Sequence, residues 1–315
     1  MSWLSDRTLE HLRQVADLPD LTGTKYELVE KIGHGGMASV YLAKDKELDR
    51  FVALKVVNRH LGNVEAASSR NDEARVIARL EHPGIVPVHD SGVLADGRSF
   101  YAMKFIQGQR LDNLARLPES RDQRLFLFQK VCQAVAFAHA QGVWHRDLKP
   151  QNIMIGSFGE VLVMDWGLAL VKQADSDLDA DGRTGWGTPG YRAPEQGAQE
   201  PIDERADVYA LGGILYFLLT CRSPSDKRPR RIDSTVARSL EAICLKARAV
   251  NREERYGNVA KLMEDINCYL EKQPVVAYPE GPLRASLRLI SKYRVPIALV
   301  LAYLIMRIVL MIWGI

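Results

Sequence analysis

Val143-Trp144-His145-Arg146-Asp147-Leu148-Lys149-Pro150-Gln151-Asn152-Ile153-Met154-Ile155 is the stretch on which the reading of this chain turns. Apolar ends bracket a polar loop in which a carboxylate (Asp147), a cation (Lys149) and an amide (Asn152) fall within six positions. Groups so close on one loop can converge on one point. Transfer of a phosphoryl group needs that set: a carboxylate to orient the attacking hydroxyl, a cation for the γ-phosphate and an oxygen ligand for magnesium. Further on, Asp165-Trp166-Gly167 offers a second magnesium contact through Asp165. A polar surface loop is the plain alternative, and it leaves the second motif at this distance unexplained.

Working back toward the N-terminus, Val52-Ala53-Leu54-Lys55 reads as a strand with a lysine in its interior. A cation there is costly to bury without an anion. Phosphate oxygens and a glutamate would supply one, and Glu73, in a helical pattern over about 63–80, is the candidate glutamate. A strand-edge lysine reaching water is the other reading. Earlier still lies Ile32-Gly33-His34-Gly35-Gly36-Met37-Ala38-Ser39-Val40. Glycines between two strands let backbone N–H groups approach nucleotide phosphates. Ala38 stands where a GxGxxG pattern has its third glycine, so by itself the segment also fits an ordinary glycine-rich hairpin.

The remainder of the chain frames these motifs. At 315 residues, 47% hydrophobic and 26% charged, it is globular in composition, and a net charge of +3 gives no case for a nucleic-acid partner. The four cysteines form no CxxC pair and read as reduced core thiols. Residues 1–25 suggest a short helix and a turn. Strand patterns run from Tyr26 to Val57, then over 85–94 and 99–106. Beyond Gly108 helices dominate, at about 121–141, 208–220, 240–249 and 258–270, the second of them apolar on all sides. The expected fold is α+β and two-lobed: a small β-rich lobe over 26–106 and a helical lobe over 107–272.

Taken in order, these motifs resemble the eukaryotic-like (Hanks-type) Ser/Thr protein kinases, especially their bacterial members, over about Tyr26 to Leu270. The resemblance implies ATP and Mg2+ as cofactors and a protein with serine or threonine as substrate. It implies that Asp147 is the catalytic base with Lys149 beside it, that Lys55 pairs with Glu73 and the α/β-phosphates, and that Asn152 and Asp165 bind magnesium. The nucleotide would lie on Ile32, Gly33, His34, Gly35 and Gly36, its adenine between Val40, Ala53 and Met154. Met103 would be the gatekeeper, and Lys104-Phe105-Ile106 the hinge. Gly187-Thr188-Pro189-Gly190-Tyr191 and Ala193-Pro194-Glu195 look like the end of an activation segment. Asp207 looks like the buried aspartate that opens the central helix, and Arg255 like the partner of Glu195. Lys149, with Thr188 able to bond both it and Asp147, favours serine and threonine over tyrosine.

The chain also departs from that pattern. Trp166 replaces a phenylalanine, so a larger ring must pack under the Glu73 helix, against Ile77. Over 221–239, where the family has another helix and loop, a short basic run holds Arg222, Lys227, Arg228, Pro229, Arg230 and Arg231, which leaves substrate docking open. The acidic stretch 168–187 carries Ser176 and Thr184. Arg146 could meet a phosphate there, with Thr184 the preferred site, or the stretch is a loop without a switch.

Residues 295–315 are 21 nearly all-apolar positions, about 30 Å as a helix, enough for a bilayer. Arg307 is the one charge within them. Arg284, Arg288, Lys292 and Arg294 crowd the segment's N-terminal flank over a basic linker, 273–294. The positive-inside rule then expects a single-pass membrane helix with the body in the cytoplasm. No signal-peptide pattern opens the chain. Pairing of Arg307 with a polar group on another helix would make a homodimer contact; a buried core helix is the competing reading. A pseudokinase scaffold would lack Lys55, Asp147 or Asp165, and all three are present. A small-molecule kinase would lack the Ala-Pro-Glu segment.

Overall fold

The computed structural model describes residues 18–35, 38–58, 77–113, 120–166, 170–171, 188–197, 202–279 and 299–307. β1 (Tyr26–His34), β2 (Ala38–Asp45), β3 (Arg50–Val57), β4 (Val88–Val93) and β5 (Ser99–Lys104) form one antiparallel sheet in the order β1-β2-β3-β5-β4. Side chains alternate across a strand. In β3, Val52, Leu54 and Val56 therefore join Tyr26, Tyr41, Phe100 and Ala102 in a core of the small lobe. Ala53 and Lys55 point the other way, and Ala53 belongs to the core shared with the helical lobe. That parity puts Lys55 on the inner face of the sheet.

The sequence pattern begins β4 at Ile85, but the strand begins at Val88. Pro87 has no N–H to give a ladder; its carbonyl accepts from Lys104 N at 3.1 Å, and Ile85 instead bridges Val163 in the larger lobe. That bridge ties the two lobes together behind the cleft.

In the larger lobe the helices are α1 (Arg121–Ala140), α2 (Arg205–Thr220), α3 (Pro229–Ile232), α4 (Arg238–Ala247) and α5 (Val259–Leu270). Gly142 at φ 72° follows α1 and ends it. Asn258 caps α5 by accepting from Lys261 N at 2.9 Å. α2 is buried along nearly its whole length, as its apolar sequence requires. Gly213 is set into it where a Cβ would come 2.9 Å from Tyr191, so the helix can approach the 188–197 segment closely.

Short strands unforeseen in the sequence complete the lobe: β6 (Gly108–Arg110), β8 (Ile153–Gly156) and β9 (Val161–Val163) in one sheet, β7 (Val143–Trp144) and β10 (Leu170–Val171) in another. Two to four residues are too few to show a period of two. The basic run is also not wholly irregular, since Pro229, at a first helical position that needs no N–H, starts the single turn of α3.

All four cysteines are free thiols. Burial raises Cys132 and Cys244, the latter to about 12, so both are neutral core groups. Residues 299–307 are helical, with Leu299, Leu301, Tyr303, Ile305 and Met306 exposed. Among the described residues no helix is long and apolar enough to cross a membrane; 295–298 and 308–315 lie outside them, as do 1–17 of the stretch 1–25 expected to hold a short helix.

Candidate phosphoryl-transfer site

The polar loop of 145–152 is hung from α2. Asp207, in the first turn of that helix and 1% exposed, accepts from His145 N and Arg146 N, both at 2.8 Å, and from His139 Nε2 at 2.8 Å. Burial alone would raise its pKa. The His139 bond and charge, with the His145 contacts, outweigh that and hold it below the usual carboxylate range. These bonds fix Arg146 at φ 67°, a left-handed conformation that a side chain resists. Gln196 Nε2 donates to Arg146 O at 2.8 Å and pins the same residue from the other side.

Turned by that strained residue, Asp147 meets its two partners. Lys149 Nζ lies 2.6 Å from Asp147 Oδ2, and Asn152 Nδ2 donates to Asp147 O at 2.8 Å. With the Asn152 amide nitrogen committed there, its Oδ1 is the atom left to bind a cation. Opposite the loop, Asp165 also takes a left-handed φ, 61°, and Lys55 Nζ reaches its Oδ1 at 2.7 Å. Packing around Asp165 would raise its pKa, but the Lys55 charge and hydrogen bond, helped by His145 and Lys149, lower it. Its carboxylate is therefore ionised at neutral pH. One carboxylate and one amide oxygen suit magnesium, which keeps waters and takes its other ligands from phosphates. The donor set fits the ion that the sequence implies.

His145 joins the halves of the site. Its Nε2 lies 3.0 Å from Met164 O, and Asp147 N donates to Nδ1 at 3.3 Å. The ring rests on Trp166 at 4.6 Å between centroids. Trp166 is 1% exposed, packs in the same core as Ile77 and directs Nε1 at Val163 O.

The residues expected to hold the nucleotide lie on both lobes. Val40 pairs with Lys55 in register, Ala53 with Met103, and Met154 with Arg110 on the facing lobe. Gly33 and His34 pair with Val40 and Ser39, and Gly35 N closes the turn onto Ala38 O at 2.9 Å. Ile32 is exposed at the lip, and Phe105 is half-buried past β5. Gly36, Glu73 and Thr184 lie outside the described residues. Thr188 carries the turn to Tyr191 and Arg192 through its carbonyl. Among the described residues its side chain makes no hydrogen bond to Asp147 or Lys149, whose charges are spent on each other.

Residues 26–274 match the protein kinase domain family. The chain belongs to the protein kinases. It is 36% identical over 300 residues to the serine/threonine-protein kinase PknD of Chlamydia trachomatis, an alignment covering 79% of this chain and 32% of that protein. PknD of Chlamydia abortus is 34% identical over 301 residues, covering 79% and 31%. The chain thus spans about a third of the length of these curated relatives. The kinase domain of PknI from Mycobacterium tuberculosis superposes with a TM-score of 0.64 at 27% identity, covering 79% of this chain and 98% of that one. These likenesses assign the domain to the bacterial Hanks-type Ser/Thr kinases.

Several residues of this kinase site carry no sequence signal. Asn58 joins Ser39 (3.0 Å) and Gly35 O (2.9 Å) and so clamps the glycine turn. His139, near the end of α1, braces Asp207 at 2.8 Å, and Gln196 holds the catalytic loop at Arg146 O across 50 positions of chain. The expected pair of Glu195 and Arg255 is present, bidentate at 2.6 and 2.8 Å. Arg255 gives its other N–H groups to the carbonyls of Ala249, Arg205 and Val250. Every donor of a buried cation is satisfied.

Proposed function

We propose that this chain transfers the γ-phosphoryl group of ATP to serine or threonine hydroxyls of proteins, including its own. The convergence of Asp147, Lys149 and Asn152 opposite the Lys55–Asp165 pair carries the reading. Asn152 and Asp165 would hold magnesium, which would supply neutralisation of phosphate charge. Asp147 orients the incoming hydroxyl and accepts its proton. Lys149 stands beside the developing charge, Lys55 anchors the phosphates, and Val40, Ala53 and Met154 hold the adenine. The test is incubation with labelled ATP, magnesium and a generic basic protein, with the Asp147→Asn protein alongside. Label on substrate and kinase that is absent with Asp147→Asn supports the reading; equal labelling by both proteins overturns it. Thr184 is the proposed self-modified residue, so mass spectrometry should find phosphate there and Thr184→Ala should slow the enzyme.

The second part of the proposal is a membrane tether through 295–315 with the catalytic body in the cytoplasm, where ATP is. It is supported by the row of exposed apolar side chains on the helical stretch 299–307 and by the basic flank before it.

A further inference from the structure

A groove of about 590 Å³ opens around α3, lined by Asp226, Lys227, Arg228, Arg230, Arg231 and Glu241. Four cations face two carboxylates, and one of those, Glu241, already accepts from Arg230 N at 3.0 Å. Among the described residues no ion pair engages any of the four cations, and Arg230 Nε is buried without a partner. A buried guanidinium donor with no acceptor is expensive to keep. An anion entering the groove would satisfy it.

The place of the groove relates it to the transfer site. The 188–197 segment is bonded on one side to the catalytic loop, through Gln196 and Arg146 O. On its other side Gly190, at φ 88°, sits so close to Pro224 that a Cβ there would stand 3.1 Å from Pro224 O. Pro224 leads directly into the groove residues. That lead-in is fastened below, by Tyr216 to Ser225 Oγ at 2.9 Å and by Arg248 to Ser225 O at 3.2 Å. The catalytic loop, at Arg146, and the chain leading into the groove, at Pro224, therefore both hold one short segment.

We propose that the groove binds acidic side chains of the protein substrate near the phosphoacceptor, so that this kinase selects acidic sequences. The inference rests on the kinase reading above and adds the substrate class. Such a sequence exists within the chain: Asp175-Ser176-Asp177-Leu178-Asp179-Ala180-Asp181 sets a serine among four aspartates. Opposite charges of this density raise association and are weakened by salt.

The test uses the full chain in mild detergent and a fluorescent peptide copying residues 172–187, beside a version with its four aspartates changed to asparagine. Anisotropy without ATP reads binding alone, and phosphate incorporation reads catalysis. The acidic peptide should bind at least about tenfold more tightly. That preference should vanish in an Arg230→Glu, Arg231→Glu double variant of unchanged melting temperature and persist in Arg230→Lys, Arg231→Lys. Equal affinity for both peptides, or a preference that survives charge reversal, overturns the proposal. Selective binding without transfer to any peptide would sustain the groove and sink the kinase reading. Should charge reversal abolish binding to phosphatidylserine vesicles yet leave the peptide preference intact, the groove serves lipid headgroups and the proposal fails.

Discussion

Asp147→Asn keeps the shape of the side chain and removes the proton acceptor. With Lys149 and the hydroxyl no longer facing a carboxylate, phosphoryl transfer should fall about 100-fold or more while the melting temperature stays within a few degrees. Lys55→Met should remove activity comparably, because it deletes the cation shared by Asp165 and the phosphates. Steady-state rates beside thermal unfolding of each variant check both. Trp166 is a different kind of residue, since its ring rests on His145 and fills the core. Trp166→Ala should cost about 3–5 kcal/mol of unfolding free energy in urea. Trp166→Phe should cost much less and keep the catalytic loop in place.

Between α2 and the catalytic loop, one carboxylate serves three donors. Asp207→Asn turns one acceptor oxygen into a donor facing an N–H, so stability should fall by about 3 kcal/mol and activity with it. The pH dependence follows from the lowered Asp207 pKa. Between the folded and unfolded pKa values the unfolded chain binds more protons, so stability rises with pH there. The contribution is complete above about pH 4, the unfolded value, and is lost as pH falls through the lower folded one. Urea midpoints of the two proteins should therefore differ by a constant amount near neutrality and converge below about pH 4. A gap unchanged down to pH 2 would show that the charge of Asp207 is not what holds the loop.

At the scale of the molecule, the tether and the catalytic body are separable in the proposed arrangement. The body closes on itself: Asp265 on α5 accepts from Tyr256 and from the backbone of Val276 and Ala277, so the first residues of the stretch expected as a linker, 273–294, pack onto the large lobe. Deleting 284–315 should leave a kinase with the same melting temperature and specific activity that needs no detergent. The full chain should stay with membranes through carbonate extraction. A deletion variant that unfolds would make the apolar segment part of the core instead.

The sequence by itself determined the chemistry, the order of the lobes and the long elements. Asp147, Lys149 and Asn152 share one loop, and helices of 12 to 20 residues such as α1 and α5 repeat often enough to show their period. Proline and caps set ends that could be read locally, as at Asn258, or misread, as at Pro87. What only the tertiary structure decided were the contacts between residues far apart in the chain: Asn58 on the glycine turn, His139 on Asp207, Gln196 on the catalytic loop, and the groove of Lys227 to Arg231 that follows the Gly190–Pro224 contact. A histidine or glutamine has no periodic signature, and a hydrogen bond across 50 or more residues exists only once packing has chosen which surfaces meet. The strain at Arg146 and Asp165 has the same origin, because a left-handed backbone at a side-chain-bearing residue persists only where the surrounding fold imposes it.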